Sequence, residues 1–223
     1  FADGEHGAEI ISAAGDRGQA NIVFDIARDM IANNRELTYR STVQKKVISY
    51  KNSWYKSISA EAYTKHGLNC HAVIFDELHT QPNRDLWDVL TTSIGARKQP
   101  LIMALTTAGH DRSSICYEVH EYAEKVRDGV IDDPTFLPVL YCADVDDDWT
   151  DEETWRKANP GYGTICHKSY FDQAVQNAKA NPSMVNSFLR LHLNIWTSAE
   201  TAWIPDDIWM KGDSPIPHDR LQE

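Results

Sequence analysis

The amino-acid sequence predicts a three-layer α/β fold built on a parallel sheet. Two continuous apolar runs, at 71–75 and 100–105, each end in polar residues, and a helical pattern separates them. Strands buried between two layers of helices have this uninterrupted apolar composition. Strand and helix patterns also alternate along the first 145 residues, which is the order expected for a parallel sheet.

The predicted elements follow one another regularly. In chain order they are a strand at 9–14, a helix at 19–32, short strands within 35–68, a strand at 71–75, a helix at 84–94, a strand at 100–105, a helix at 114–128 and a strand at 136–143. The first helix has apolar residues on one face at helical spacing, namely Ile22, Val23, Ile26, Ala27, Met30 and Ile31. The helix at 84–94 is expected to bury Leu86, Trp87, Leu90 and Ile94.

The sequence changes character after Asp144. Three consecutive aspartates at 146–148 are interpreted as an acidic hinge, and residues 150–153 have the form of a helix-capping box. The helices predicted beyond this box, with Trp155 and Phe188 as packing anchors, are 169–181 and 183–193. The chain is therefore divided into an α/β core at 1–145, a helical linker subdomain at 146–200 and a final connection at 201–223.

Composition narrows the class of protein. The 223 residues have a net charge of −11, and their four cysteines include no Cys-x-x-Cys pair. This pattern favours reduced thiols over a disulfide framework or a zinc site. No apolar stretch reaches the roughly 20 residues of a membrane span. Residues 35–66 are locally basic and aromatic, so this segment is either a solvated face or a contact with a DNA backbone.

Two adjacent carboxylates, Asp76 and Glu77, directly follow the strand at 71–75. Such a strand places both acids at the carboxyl edge of the sheet, where open α/β sheets bind ligands. The position matches the Walker B element of ATPases, in which the Asp helps to hold Mg²⁺ and the Glu activates the attacking water. Two solvated acids at the end of a core strand are the alternative.

A second polar element, Thr106-Thr107-Ala108-Gly109, ends the strand at 100–105. Hydroxyl groups offer donors and acceptors without bulk, and Gly permits unusual backbone angles. Such a loop suits contact with a γ-phosphate or its water, although an ordinary strand-to-helix turn has the same residues. Two such elements that flank one helix favour the phosphate interpretation.

Other residues with metal-binding side chains are given structural interpretations. His71 and His79 flank the strand at a spacing that matches no zinc pattern, so they are predicted to be turn or packing histidines. The acids around Asp144 are interpreted as a solvated hinge, because metal-binding carboxylates converge from separate elements. The seven tryptophans lack regular spacing and are assigned to packing.

In combination these segments resemble one family, the ATPase region of the large terminase subunit of tailed bacteriophages, which is a DNA-packaging motor. The resemblance spans almost all 223 residues. It is based on segments in the family's order: residues 9–20, Asp76-Glu77-Leu78-His79, 95–109, Trp155-Arg156-Lys157-Ala158-Asn159-Pro160 and Asn194-Ile195-Trp196. It implies that residues 1–145 are a P-loop NTPase-type core and that 146–200 link this core to a nuclease.

The resemblance assigns roles to single residues. Asp76 corresponds to the Mg²⁺-associated acid and Glu77 to the catalytic base. The coupling element, which links phosphate state to movement, comprises Thr106, Thr107 and Gly109. The residues given lesser, nucleotide-proximal roles are Arg17, Gln19 and Arg97. The candidates for the arginine that stabilises the γ-phosphate are Arg17, Arg97 and Arg112.

The resemblance also implies cofactors and partners. The cofactors are ATP and Mg²⁺. The partners are double-stranded viral DNA, a portal protein, a small terminase subunit and further copies of the chain in a ring on the capsid, with no membrane. The implied location is the cytoplasm of an infected bacterial host.

Two departures from the family pattern leave alternatives open. No Gly-x-x-x-x-Gly-Lys-[Ser/Thr] loop occurs in the sequence, so the phosphate-binding Walker A loop is expected upstream of Phe1 and the chain is expected to hydrolyse ATP poorly alone. The nuclease, an RNase-H-like domain in the family, is expected after Glu223. The alternatives are a helicase-like ATPase and a non-catalytic nucleotide-fold remnant that serves as an assembly module.

Overall fold

The computed structural model describes residues 3–60 and 67–198. Six strands form one sheet in the order β2-β3-β4-β1-β5-β6. The strands are β1 (Glu9–Ala14), β2 (Thr42–Val43), β3 (Ile48–Tyr50), β4 (Ser53–Ser59), β5 (Cys70–Asp76) and β6 (Leu101–Leu105). The helices are α1 (Arg17–Ala32), α2 (Arg35–Arg40), α3 (Asp85–Thr92), α4 (Ile115–Arg127), α5 (Glu152–Ala158), α6 (Lys168–Ala180) and α7 (Val185–Leu193).

The predicted α/β class is confirmed, with one addition. Strands β4, β1, β5 and β6 are parallel, whereas β2 and β3 form an antiparallel extension beside β4. The segment at 35–68, where short strands were predicted, holds strands β2, β3 and β4 and also helix α2. No helix in the described ranges is both long and apolar enough to cross a membrane.

Helices cover opposite faces of the sheet. Helix α1 packs through Phe24 against Tyr55, and the two ring centroids are 5.4 Å apart. Helix α3 packs on the other face, where Trp87 contacts Phe75 with centroids 4.8 Å apart. Side chains alternate along each strand, so the two helices and the sheet form three layers.

Helix α1 buries only part of the predicted face. Ala27 and Ile31 are partly buried against the cluster around Phe24. The fully buried residues are Ala20 and Phe24, whereas Ile22, Ile26 and Met30 are 52%, 52% and 64% exposed. Asp16 caps the helix by accepting hydrogen bonds from the amides of Gly18 and Gln19, and the helix therefore begins at Arg17 rather than Gln19.

Strand β6 forms as predicted but is not buried. It pairs with β5, and none of the described residues pairs with its other edge. Its residues Leu101, Met103 and Leu105 point to one face and are 54%, 44% and 49% exposed. The parallel sheet therefore ends in an uncovered apolar strand.

The chain divides into two compact units, the first ending at Phe136 and the second beginning at Leu137. The second unit contains the predicted helices, and Trp155 and Phe188 are buried as expected. The boundary between the two units, after Phe136, lies before the boundary that the sequence predicts after residue 145. The predicted connection at 201–223 lies outside the described residues.

Two local predictions in this second unit are wrong. Residues 137–143, predicted to continue a strand from Phe136, have no regular structure. Pro138 lacks an amide hydrogen, and Leu137, Val139 and Tyr141 remain more than half exposed, so no neighbouring strand holds them. The cap of α5 is Asp151, which accepts from the Glu153 amide, rather than Thr150.

Candidate functional site

The carboxyl ends of β1, β5 and β6 meet at one edge of the sheet. Asp76 is the last residue of β5 and is paired with Leu105, the last residue of β6. Gly15 follows β1, and a β-carbon added there would lie 2.6 Å from the Thr80 carbonyl oxygen. A glycine is therefore required for the chain after β1 to approach the turn after β5 so closely.

Glu77 has an unusual backbone conformation. Its φ of 50° and ψ of 57° are left-handed, and it immediately precedes the 3₁₀ turn Leu78–Thr80. A non-glycine residue in this conformation costs roughly 1–2 kcal/mol, and such strain is often retained where function needs it. Leu78 is 1% exposed and fixes the turn in the core.

One oxygen of the Glu77 carboxylate, Oε2, is buried and makes no hydrogen bond with the described residues. It lies 3.0 Å from His79 Nδ1, a contact that lacks hydrogen-bond geometry. Buried carboxylate oxygens are normally hydrogen-bonded, because burial removes them from water. This oxygen therefore has an unused capacity to accept a hydrogen bond.

The two predicted polar elements are in direct contact through His79. The His79 amide donates to Thr106 Oγ1 at 3.1 Å, and the ring Nδ1 lies 3.1 Å from the same oxygen. Thr107 Oγ1 is 3.5 Å from Nδ1. The structure thus brings Asp76, Glu77 and the Thr106–Thr107 pair to one place, as the sequence predicts.

Helix α4 reaches this site through its first turn. Cys116 Sγ lies 3.7 Å from Thr106 Oγ1, and Gly109 is buried in the loop between β6 and α4. Burial raises the pKa of the Cys116 thiol to about 11, and the negative charge of Glu77 contributes in the same direction. Cys116 is therefore a neutral thiol at pH 7.

The nucleotide-proximal predictions separate into two groups. Arg17 is exposed and Gln19 half-buried at the start of α1, on the edge where Asp76 lies. Arg97 lies at the opposite edge, where its guanidinium donates to the carbonyl oxygens of Asn69 and Gly7 and pairs with Glu5. Its side chain is buried among loops at the amino ends of the strands, so the structure does not bring Arg97 together with Asp76 and Glu77, and its nucleotide-proximal role stays a prediction.

His79 is the site residue that sequence reasoning missed, because it was assigned to packing. A sequence signal for His79 was available. It lies two residues after Glu77, in the turn after β5, where side chains can reach the sheet edge. His71 fits the packing interpretation, since it is buried and pairs with Asp3.

The acids of the predicted hinge are held by a lysine. Lys157 Nζ pairs with Asp144 and, at 2.7 Å, with Asp147. These two carboxylates raise the pKa of Lys157 to about 12. Among the described residues no group of three or more His, Cys, Asp or Glu side chains is placed to hold a metal ion.

Comparison with protein families gives two matches. Residues 1–125 match the model described as the terminase large subunit, ATPase domain. Residues 130–222 match the terminase large subunit, endonuclease domain. In the second range, residues 137–198 hold helices α5–α7 and no strand longer than a single bridge.

Individual proteins support the same grouping. The chain is 34% identical over 217 residues to the terminase large subunit of Enterobacteria phage HK97, covering 93% of this chain and 42% of that protein. It is 34% identical over 137 residues to Protein YmfN of Escherichia coli K12, covering 61% of this chain and 30% of that protein. The crystal structure of the HK97 large terminase superposes with a TM-score of 0.77 at 26% identity, covering 94% of this chain and 44% of that one.

Proposed function

Since the chain belongs to the family of large terminase subunits, we propose that its first unit is part of the ATP-hydrolysing centre of a motor that packages double-stranded viral DNA. The proposal is carried by Glu77 Oε2, which is buried and makes no hydrogen bond with the described residues, although it lies 3.0 Å from His79 Nδ1. A general base must present a free acceptor within reach of the proton that it removes. Glu77 does so at the carboxyl edge of a parallel sheet, where α/β proteins bind ligands.

The remaining site residues have distinct tasks in this proposal. Asp76 is half-buried beside Glu77, and its carboxylate makes no ion pair with the described residues, so it suits Mg²⁺ held through water. Bound Mg²⁺ would neutralise charge on the phosphates of ATP. Thr106, Thr107 and Gly109 link the hydrolysis site to α4 and so couple phosphate state to movement.

We infer that the phosphate-binding loop comes from a segment outside these 223 residues. The sequence contains no Walker A loop, and the chain spans less than half of the HK97 relative. The exposed apolar faces of β6 and α1 support the inference, because exposed apolar edge strands are normally paired or covered.

Measurement of ATP hydrolysis tests this proposal. The 223-residue chain is expected to hydrolyse ATP poorly or not at all, because the amides and lysine that hold phosphates are absent from it. The protein extended upstream to include a Gly-Lys-Ser/Thr loop is expected to hydrolyse ATP with Mg²⁺. Robust turnover by the shorter chain that is lost on Glu77→Gln would contradict the need for this added loop.

The partners follow from the same proposal. We expect the complete protein to act on double-stranded viral DNA, with a portal protein, a small terminase subunit and further copies of itself in a ring on the capsid. We expect this to occur in the cytoplasm of an infected bacterium. Residues 130–222 match the endonuclease model, so sequence that corresponds to this part of the family lies within the chain rather than wholly after Glu223 as expected.

A further inference from the structure

Strands β2, β3 and β4 form a basic margin of the sheet, on the side opposite β6. Residues 35–56 hold six basic side chains and one acid, Glu36, so this segment has a net charge of +5. Because the whole chain has a net charge of −11, the other residues together have −16. A chain that is otherwise strongly acidic therefore has one concentrated region of positive charge.

Neighbouring acids leave most of this positive charge unpaired. Glu36 pairs with Arg40 at 2.7 Å, so the one acid of the segment is already neutralised. Lys45 and Lys46 are exposed and Lys56 is half-buried, and none of these three lysines makes an ion pair with the described residues. We call these three lysines the basic surface.

The strand register brings the basic surface together. Ile48 of β3 pairs with Tyr55 of β4, so Lys56 lies level with the 44–47 turn that joins β2 to β3. Neighbouring strands lie about 4.8 Å apart, so β2, β3 and β4 together are about 10 Å wide. Double-stranded DNA has one phosphate charge per ~1.7 Å of its axis, so a surface of this width faces about six phosphate charges.

The side chain of Lys56 is held by an aromatic ring. Its Nζ lies 4.1 Å from the centroid of the Trp54 ring. Tyr55, between these two residues, packs against α1, so Lys56 and Trp54 lie on the opposite face of the sheet. Lysines on edge strands often prevent pairing with another chain. That explanation does not account for Lys56, because β4 is paired with a strand on each side.

We propose that Lys45, Lys46 and Lys56 form a contact surface for the phosphate backbone of double-stranded DNA. A lysine ammonium attracts phosphate as a point charge, and contacts with phosphate do not read the base sequence. Sites for single strands present open aromatic faces on which bases stack, whereas Lys56 covers one face of Trp54. The proposal rests on the proposed function in one respect, since that function makes DNA the polyanion that the chain meets.

DNA binding by the complete protein, measured without ATP, tests the basic surface. Fluorescence anisotropy with a fixed duplex of arbitrary sequence gives the affinity over a series of salt concentrations. The variant K45Q/K46Q/K56Q is expected to lower the affinity about 10-fold or more and to reduce the slope of log affinity against log salt by about 2 to 3, because each lost phosphate contact releases about one counterion fewer. The variant K45R/K46R/K56R keeps the charge and is expected to bind within about 3-fold of the parent.

The control variant is K98Q/K125Q/K179Q, which removes the same charge from exposed lysines in other parts of the chain. It is expected to keep the affinity of the parent within about 3-fold, because these lysines lie outside the basic surface. Equal losses in the two Gln variants would show an effect of net charge alone and would overturn the proposal. The single variants Lys45→Gln and Lys46→Gln should each reduce the slope by about 1, and they keep the test decisive if the triple variant folds poorly.

Two further outcomes would overturn the proposal. Tighter binding of a single strand of the same length would assign the surface to single-stranded DNA, and stronger competition by polyglutamate than by duplex of equal charge would assign it to an acidic protein. Because binding is measured without ATP, its result is separate from the hydrolysis test. Full ATP turnover by Glu77→Gln refutes the proposed function, whereas unchanged DNA affinity and salt slope in K45Q/K46Q/K56Q refute only the basic surface.

Discussion

Single residues decide whether the site can assemble. Asp76 and Glu77 could be placed from sequence because an apolar strand that ends in two acids fixes their position along the sheet edge. Arg97 could not, since a residue before a strand and one after it have similar sequence surroundings but lie at opposite edges. The position of His79 depends on a turn that follows the left-handed backbone conformation of Glu77, and no sequence pattern predicts that conformation.

Gly15 allows a direct test of how closely two loops approach at this edge. Gly15→Ala is expected to destabilise the chain by about 1–3 kcal/mol, because its methyl group would overlap the Thr80 carbonyl oxygen. Chemical denaturation measures the change. Gly95→Ala is the matched control, since a β-carbon there has no atom within 4 Å; equal effects of the two variants would show that the close approach is not present.

Cys116 predicts a pH dependence of stability. The folded state raises its pKa from 9.0 to about 11, so the folded chain holds the thiol proton more tightly than the unfolded chain. This contribution to stability is complete below about pH 9 and is lost as pH rises towards 11. Denaturation between pH 8 and pH 11 should show a smaller alkaline loss in Cys116→Ala than in Cys166→Ala, and identical curves would contradict the assigned burial.

Elements were predicted more reliably than the surfaces that they bury. The strands that end at the carboxyl edge and the helices after residue 150 were predicted correctly, because their periodicity and caps are local features of the sequence. The buried face of α1 was predicted only in part: Ala27 and Ile31 pack inward as expected, but the main buried residue is Phe24, which packs against the distant Tyr55. The Tyr55 hydroxyl in turn donates to Ser12 Oγ. The failed strand at 136–143 likewise needed a neighbouring strand, which no local pattern specifies.

The two stripes of α1 give an element-scale prediction. Phe24→Ala should cost about 3–5 kcal/mol of unfolding free energy, because it empties the space against Tyr55. Ile26→Ala should cost less than about 1 kcal/mol, because Ile26 is 52% exposed. Urea denaturation of both variants checks the assignment, and a larger effect at Ile26 would favour the stripe expected from sequence.

At the largest scale, the sheet of the first unit has helices on both faces but an apolar edge that no described strand pairs with. Helices α1 and α3 cover opposite faces near β1, β4 and β5, but the outer edge of β6 has no strand partner among the described residues. The coupling residues lie at the end of this same strand. A phosphate-binding segment that paired with β6 would thus lie beside Thr106 and Thr107.

The central claim is that Glu77 is the base for ATP hydrolysis, and single-turnover cleavage in the complete protein tests it most directly. Glu77→Gln should lower the cleavage rate by at least ~10²-fold while ATP and Mg²⁺ still bind, because the amide cannot take a proton from water. Asp76→Asn should instead weaken Mg²⁺-dependent ATP binding, and Glu121→Gln should change neither property. Cleavage at the parent rate by the folded Glu77→Gln protein would contradict the claim.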